Sequence, residues 1–352
     1  MDHQYIKLYN AGSSADAAYL LEEGTVFFYL STVDKYSLTG KNIIIGSTEL
    51  IMHRLLSSAA ERIETAVTDD ASKLKKISVE RFLPGLETYS FAMNVSMVLA
   101  RQVLLTNNII QKNLASLAGD EKKVKELSID FFKIVHRLRE EYAKRKLPWL
   151  KTLIQQHADT LTYKKGEAYS KSSEPVRLRV ESGSTDRDVE YPIGSVVFEE
   201  GTDGNEMFIL KSGMLDVVIK GNKVASIDEP GTVIGEMALL LGERRTATLA
   251  ARNRVIMTGV RKEDLKDLVS HQPDFLSCIA QTLAKRHFYN VQKIGHINES
   301  LAEQTIDHEM SGAKQVPHSQ RAFKELSHLK EAVEESVREK KAEFLQDLVD
   351  TL

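Results

Sequence analysis

The sequence has little cysteine, little net charge and no long uninterrupted apolar run. Its 352 residues include one cysteine, Cys278, so no intrachain disulfide can form, and we expect a reducing, cytoplasmic location. Forty-seven basic residues nearly balance 50 acidic ones, leaving a net charge of −3, which argues against a charge-driven nucleic-acid or membrane-surface binder. The first residues do not show a basic stretch followed by an apolar one, so no secretory signal is expected.

The most apolar long segment, residues 88–111, is interrupted by polar residues such as Arg101 and Asn107. This pattern predicts a buried amphipathic helix and not a membrane span.

The recurrent signatures of catalytic sites are missing as well. There is no Walker loop, no His-Glu-x-x-His and no Gly-x-Ser-x-Gly, so we do not expect an enzyme. His296, His308, Glu309 and His318 are too scattered to predict a metal site. No helix-turn-helix pattern follows Asn298, so no nucleic-acid partner is predicted either. We therefore expect neither a metal nor a nucleic acid to bind.

An internal repeat is present. The stretch GSSADAAYLLEEGTVFFYL at 12–30 aligns with GTDGNEMFILKSGMLDVVI at 201–219, and both show the loop, strand and glycine-turn order of a β-hairpin. Residues 62–82 then align with 245–265 without a gap, placing Arg62 on Arg245. Chance similarity between short hairpins is the alternative, but two matches in the same order favour duplication.

Helical patterns separate and follow the two copies. Apolar residues at helical spacing predict helices over 88–117 and 121–146, and Pro148 begins a further one. The polar run 164–175 predicts a connection between modules, and 308–320 predicts a loop or hinge. Residues 322–352 carry one apolar stripe, which predicts an amphipathic helix that pairs with another helix or packs on its own domain.

The second copy resembles a known family. The span 191–249 is similar to a cyclic nucleotide-binding domain: Gly194, Gly201, Gly213 and Gly231 match its barrel glycines, and GEMALLLGERRTATL at 235–249 resembles its phosphate-binding cassette. The resemblance covers roughly residues 175–290. It implies an α+β protein with two jelly-roll-type β-barrels and flanking helices, divided into a degenerate cyclic nucleotide-binding-like barrel at 1–85, a helical linker at 86–170, a binding domain at 171–295 and a helical tail at 296–352.

The resemblance also assigns ligand-binding roles, which the chemistry of the residues supports. Arg245 would donate two hydrogen bonds to oxygens of the cyclic phosphate, and Gly235 would let the backbone approach that phosphate closely. Glu236 would accept a hydrogen bond from the ribose 2′-hydroxyl. A short helix over 237–241 would aim its first N–H groups at the phosphate. The predicted site residues are Gly235, Glu236, Met237, Ala238, Leu239, Arg245, Thr246 and Ala247.

Two features bear on the ligand and its lid. A hydroxyl at Thr246 permits a bond to the guanine edge without excluding cAMP, so cAMP and cGMP both remain open. Family members cover the base with residues from the helix after the barrel, and the candidates are Phe288 and Tyr289, beside His287. Packing of these aromatics on the barrel is the alternative.

The first copy departs from the family pattern. Gly46 and Glu49 are separated, and Ile63 and Glu64 replace the Thr-Ala that follows the arginine. A carboxylate two residues from Arg62 would oppose a bound phosphate or neutralise that arginine, which predicts a degenerate domain.

The sequence thus predicts a non-catalytic cAMP or cGMP receptor. Ligand binding would draw the helix near 284–294 inward, and a protein partner or self-association through the C-terminal helix would detect the motion. The alternative is a structural or scaffold protein whose barrels have lost their ligand.

Overall fold

The computed structural model describes residues 5–56, 60–117, 119–172, 175–178, 187–272, 274–309 and 318–350. The N-terminal elements are β1 Tyr5–Tyr9, β2 Ala17–Tyr29, β3 Lys35–Ile45, α1 Thr48–Leu56, β4 Thr65–Asp69, β5 Lys73–Ser78 and α2 Val79–Gly85. Four helices follow, α3 Tyr89–Ala115, α4 Gly119–Arg145, α5 Pro148–His157 and α6 Leu161–Lys171.

The second series of strands is β6 Val176–Arg177, β7 Asp188–Tyr191, β8 Val196–Phe198, β9 Glu206–Ser212, β10 Leu215–Ile219, β11 Asn222–Ile227 and β12 Thr232–Ile234, then helix α7 Glu236–Leu241, β13 Thr248–Ala251 and β14 Val255–Arg261. A 3₁₀ turn at Lys262–Asp264 leads to α8 Leu265–His271, α9 Asp274–Glu309 and α10 His318–Asp350. None of the helices in the described ranges combines the length and apolar character needed to cross a bilayer.

Two compact units divide the chain. One comprises Met1–Thr106 with Glu174–Phe288, and the other comprises Asn107–Ser173 with Tyr289–Leu352. The first unit therefore contains both strand-rich segments, which we call the first β region (β1–β5 with α1 and α2) and the second β region (β6–β14 with α7). These units group the residues differently from the four consecutive segments predicted from sequence.

The second β region consists of two antiparallel sheets, ordered β11-β10-β13-β8 and β6-β12-β9-β14-β7. Side chains from both sheets meet in a closed apolar core, because residues on alternate positions of each strand point inward. The core residues are Phe208, Leu210, Leu215, Ile234, Leu249, Ala251, Val255 and Met257. This two-sheet arrangement is consistent with the predicted jelly-roll type.

The first β region forms one sheet in the described residues, with order β1-β4-β2-β3 and β5 also paired to β2. The 13-residue strand β2 pairs with β5 through its first half and with β4 through its second half. A register shift interrupts the β2–β5 pairing between Leu21 and Glu23, just before Gly24 at φ 136°. The expectation of two barrels is therefore not confirmed for this region.

The second unit is built around α4, which packs against α5, α6 and α10. The predicted connection between modules at 164–175 is largely helical, because its residues up to Lys171 belong to α6. That helix has a buried face of small and aromatic residues, which are Tyr163, Gly166, Ala168 and Tyr169. The lysines and the serine of the same stretch make the sequence look polar throughout.

Helix α10 packs within its own chain. Val333 is buried with the α4 core residues Phe131 and Val135, and Lys330 lies 3.1 Å from Asp130. This packing supports the alternative that the apolar stripe covers its own domain. Residues 310–317 of the predicted hinge lie outside the described residues.

Candidate functional site

The cassette begins where β12 ends. Gly235 adopts φ 83°, a left-handed conformation that favours glycine, and caps the six-residue helix α7, which Gly242 ends at φ 65°. A Cβ atom at Gly235 would also overlap the guanidinium of Arg245. The glycine is therefore required twice, by its backbone angle and by the arginine that lies against it.

Within α7 the predicted phosphate donors are partly engaged. The Leu239 N–H donates to the Gly235 carbonyl at 3.3 Å, so that donor closes a turn of the helix. Ala238 and Leu239 are buried, and Met237 is half-buried against the main apolar core of the unit. These three side chains thus form an apolar wall behind the turn.

Arg245 is 5% exposed, and its charge is held by backbone carbonyls. Nη1 donates to the Gly235 carbonyl at 3.1 Å, Nη2 donates to the Glu206 carbonyl at 2.5 Å, and the guanidinium stacks 4.2 Å from the Phe198 ring centroid. Nε is buried without a hydrogen-bond partner among the described residues. Burial lowers the pKa of Arg245, while the charges of Glu206 and Glu236 oppose that shift.

None of the ion pairs in the described ranges includes Arg245. Its positive charge is therefore not neutralised by a contacting carboxylate, which leaves it suited to an anion.

Glu236 is paired with a residue that the sequence did not single out. Its side chain is buried, and its Oε1 accepts a hydrogen bond from Arg286 Nη1 at 2.6 Å. Arg286 lies on α9, 50 residues further along the chain. The only sequence signal was its position beside the lid candidates, since nothing distinguishes it from the other cations of α9.

The last two predicted cassette residues follow Arg245 in the chain. Thr246 is exposed and Ala247 is half-buried. A cleft of about 730 Å³ adjoins Arg245, and its lining residues are Phe198, Asp203, Asn205, Glu206, Arg245, Arg261, Lys262 and Glu263. Neither Gly235 nor Glu236 lines this cleft, so it reaches only the arginine end of the cassette.

The two lid candidates are neighbours on α9, and the boundary between the two units falls between them. Tyr289 belongs to the second unit, where its hydroxyl lies 3.4 Å from Glu167 Oε1 and 3.4 Å from Lys171 Nζ on α6. Phe288 is half-buried in the first unit. The lid role of both residues stays a prediction.

The corresponding arginine of the first β region is already neutralised. Arg62 Nη1 donates to the Gly46 carbonyl at 2.9 Å and to Glu49 Oε2 at 3.0 Å, and Nη2 donates to the Ala17 carbonyl. The guanidinium stacks 4.1 Å from the Tyr9 ring centroid. The carboxylate that pairs with Arg62 is thus Glu49, and not Glu64 as the sequence suggested.

Glu64 belongs instead to a buried polar cluster. It accepts a hydrogen bond from the Tyr36 hydroxyl at 2.8 Å, and Gln102 Nε2 donates to that hydroxyl at 2.8 Å. The imidazole of His287 completes the cluster, 3.1 Å from Tyr36 and 2.8 Å from the Thr48 hydroxyl. Burial raises the pKa of Glu64 well above its ordinary value and lowers the pKa of His287 to about 3, so His287 is neutral at physiological pH.

Comparison with known proteins gives one family match and several partial relatives. The cyclic nucleotide-binding domain model matches residues 188–272. The cyclic nucleotide-gated potassium channel mll3241 of Mesorhizobium japonicum is 30% identical over 95 residues, which are 27% of this chain and 26% of the channel; a Rhizobium etli channel matches to the same extent. The chain thus spans about a quarter of the length of these curated relatives.

Two solved structures have weaker similarity. The regulatory domain of Toxoplasma gondii PKA with cAMP is 16% identical, covering 78% of this chain and 84% of that chain, with a TM-score of 0.23. The N-terminal domain of a Streptomyces coelicolor transcriptional regulator is 24% identical, covering 28% and 74%, with a TM-score of 0.25. TM-scores this low do not establish a shared overall fold. The sequence match to the family model, which includes the cassette around Glu236 and Arg245, leads to the assignment: this chain contains one cyclic nucleotide-binding domain, at residues 188–272.

Proposed function

We propose that this protein is a non-catalytic receptor for cAMP or cGMP, located in the cytoplasm, which converts ligand binding into a rearrangement of α9 that a protein partner detects. Arg245 binds the cyclic phosphate, and Glu236 accepts a hydrogen bond from the ribose 2′-hydroxyl. Thr246 and Ala247 lie towards the base. The observation that carries the proposal is the buried guanidinium of Arg245, which contacts no carboxylate among the described residues and lies beside a left-handed glycine turn.

The chemistry of the cassette fits this ligand. A cyclic phosphate would supply an acceptor for the partnerless Nε–H of Arg245, and a buried charge-assisted hydrogen bond contributes on the order of 1.5–3 kcal/mol. No group of three or more His, Cys, Asp or Glu side chains is placed to hold a metal ion in the part of the chain that the structure describes.

We also propose that the first β region is a duplicated copy that no longer binds nucleotide. Support comes from equivalent contacts: Arg62 and Arg245 each donate to the carbonyl of a left-handed glycine, Gly46 at φ 69° and Gly235 at φ 83°, and each stacks on an aromatic ring. The difference is Glu49, whose carboxylate neutralises Arg62. A phosphate approaching that arginine would have to displace a buried carboxylate.

The second candidate function is a structural or scaffold role without ligand. The ion pair of Glu49 with Arg62 favours that role for the first β region, because it satisfies both charges internally. The same argument does not extend to Arg245. The four-segment division of the chain and self-association through α10 remain predictions.

Calorimetric titration of the full chain with cAMP, cGMP and cyclic dinucleotides tests the proposal. We expect saturable binding of a cyclic mononucleotide and a loss of about tenfold to one hundredfold in affinity for Arg245→Ala. Arg244→Ala is the matched control, because Arg244 is the exposed neighbour of Arg245. The nucleotide affinity of this variant should differ little from that of the wild type. Equal affinity of Arg245→Ala and the wild type rejects this site, and the absence of heat with every cyclic mononucleotide favours the scaffold role.

A further inference from the structure

The second unit contains a cleft that the proposed function does not use. The cleft has a volume of about 490 Å³ and lies where α4, the first turn of α5 and α10 meet. Among its apolar lining residues, Leu138 and Leu150 are buried, and Leu147, Trp149 and Val337 are partly buried. Small-molecule sites are commonly clefts of about 300–1,000 Å³ with apolar walls and a few polar groups, so this cleft has the size and lining of such a site.

Positive charge at this cleft exceeds negative charge. Its lining includes the cations Arg137, Arg145 and Lys341 and the acids Glu141 and Glu334. Glu141 is paired with Arg145 at 3.0 Å, and Glu334 lies 3.9 Å from a cation outside the lining. Neither Arg137 nor Lys341 takes part in an ion pair or a hydrogen bond within the described ranges. Two cations therefore stand at the cleft without a counter-charge.

The start of α5 adds to this positive field. Helix α5 begins at Pro148, and Leu147, Trp149 and Leu150 around its start all line the cleft. The N-cap residue is Leu147, whose side chain cannot accept a hydrogen bond, and the first turn holds no acidic residue. A helix N-terminus carries partial positive charge that a polar cap or an acid usually offsets. At α5 neither is present, so the helix end favours an anion in the cleft.

We infer that this cleft binds a small amphipathic carboxylate of the medium-chain fatty-acid class. The apolar tail packs against Leu138, Leu150 and Val337, and the carboxylate lies towards Arg137, Lys341 and the start of α5. A cationic head group would find no equivalent partner, because both acids of the lining already lie beside cations. The cleft belongs to the second unit and the cassette to the first, so this inference does not depend on nucleotide binding.

The first test uses the single tryptophan of the chain. Trp149 lines the cleft, so its fluorescence reports on this site alone. Decanoate, added to the full chain below the concentration at which it forms micelles, should change the emission saturably, and calorimetry should give the same affinity. Decanol and decyltrimethylammonium carry the same tail with a neutral and a cationic head. We expect decanoate to bind roughly threefold to tenfold more tightly than decanol, and decyltrimethylammonium to bind most weakly.

The order of the three affinities decides the test. Equal binding of decanoate and decanol would reduce the cleft to a non-specific apolar surface, and tighter binding of decyltrimethylammonium would reverse the inferred charge preference. An unchanged emission together with no heat on addition of decanoate would show that the cleft takes no such ligand. Each of these results overturns the inference and leaves the receptor function untouched.

The second test places the carboxylate. Arg137→Gln should weaken decanoate binding roughly twofold to fivefold and leave decanol binding unchanged, because it removes one exposed charge from the cleft. Lys133→Gln is the matched control, since Lys133 is exposed one turn earlier on α4 and does not line the cleft. Val337→Phe should weaken both ligands by filling the cleft. Equal decanoate affinities for Arg137→Gln and Lys133→Gln, or full binding of both ligands by Val337→Phe, would overturn the inference.

Discussion

Replacing Arg62 with alanine should destabilise the protein much more than replacing Arg245, although the two arginines make similar backbone contacts. In wild-type protein, Arg62 and Glu49 form an ion pair at 3.0 Å with side chains 1% and 2% exposed. Removing one partner of a buried pair leaves an uncompensated charge and costs about 3–5 kcal/mol. Arg245 has no contacting carboxylate among the described residues, so its loss leaves only unmatched carbonyls, at about 1–3 kcal/mol.

A matched double variant separates the charge from the loss of packing. In Arg62→Met/Glu49→Leu no unpaired charge remains, and replacing a buried pair by apolar residues of similar volume is often neutral. We therefore expect this variant to recover most of the stability that Arg62→Ala loses. Urea denaturation followed by far-ultraviolet circular dichroism at pH 7.5 gives the comparison, with equal slopes required for each variant before midpoints are converted to free energies.

The stability of Arg62→Ala can also contradict this prediction. A loss below about 1 kcal/mol for Arg62→Ala would show that Glu49 is solvated or paired elsewhere when Arg62 is absent. The closed state of the first site would then not depend on this ion pair, and the first β region would have to be titrated again for nucleotide binding.

Three further predictions concern other parts of the molecule. Gly166→Ala should destabilise the second unit by several kcal/mol in thermal denaturation, because a Cβ there overlaps the Ser128 carbonyl. The control Gly295→Ala, with open space around it, should be neutral or stabilising. Equal effects of the two substitutions would contradict the packing of α6 on α4. Burial lowers the pKa of His287 from 6.5 to about 3, so the stability contributed by the neutral ring is complete above pH 6.5 and is lost as pH falls towards 3. Between pH 7.5 and 5.5 this loss is on the order of 1 kcal/mol, and His287→Gln should abolish it in denaturation curves at the two pH values. Thr246→Ala should lower cGMP affinity more than cAMP affinity in calorimetry, and equal losses would remove its role at the base.

The cassette could be read from the sequence because its geometry is local. Gly235 must adopt a left-handed angle directly before a short helix, and Arg245 follows within ten residues, so the order of residue types already specifies the turn and the cation. The aligned glycines Gly12 and Gly201 also share a left-handed angle, φ 79° and 83°, while the duplication itself remains a proposal. Local backbone requirements of this sort leave a signature in consecutive residues.

The partners of the cassette were decided only by the tertiary structure. Arg286 lies 50 residues from Glu236, and His287 lies 239 residues from Thr48, and no periodic pattern links positions so far apart. The buried face of α6 was likewise not visible in the polar run 164–175, because Gly166 is covered by a part of α4 that lies more than 30 residues earlier in the chain. The residue types of the cassette therefore indicated which ligand chemistry to expect. Packing decided that Glu49 pairs with Arg62 and that Arg245 contacts no carboxylate among the described residues, because burial and pairing depend on neighbours that only the folded chain provides.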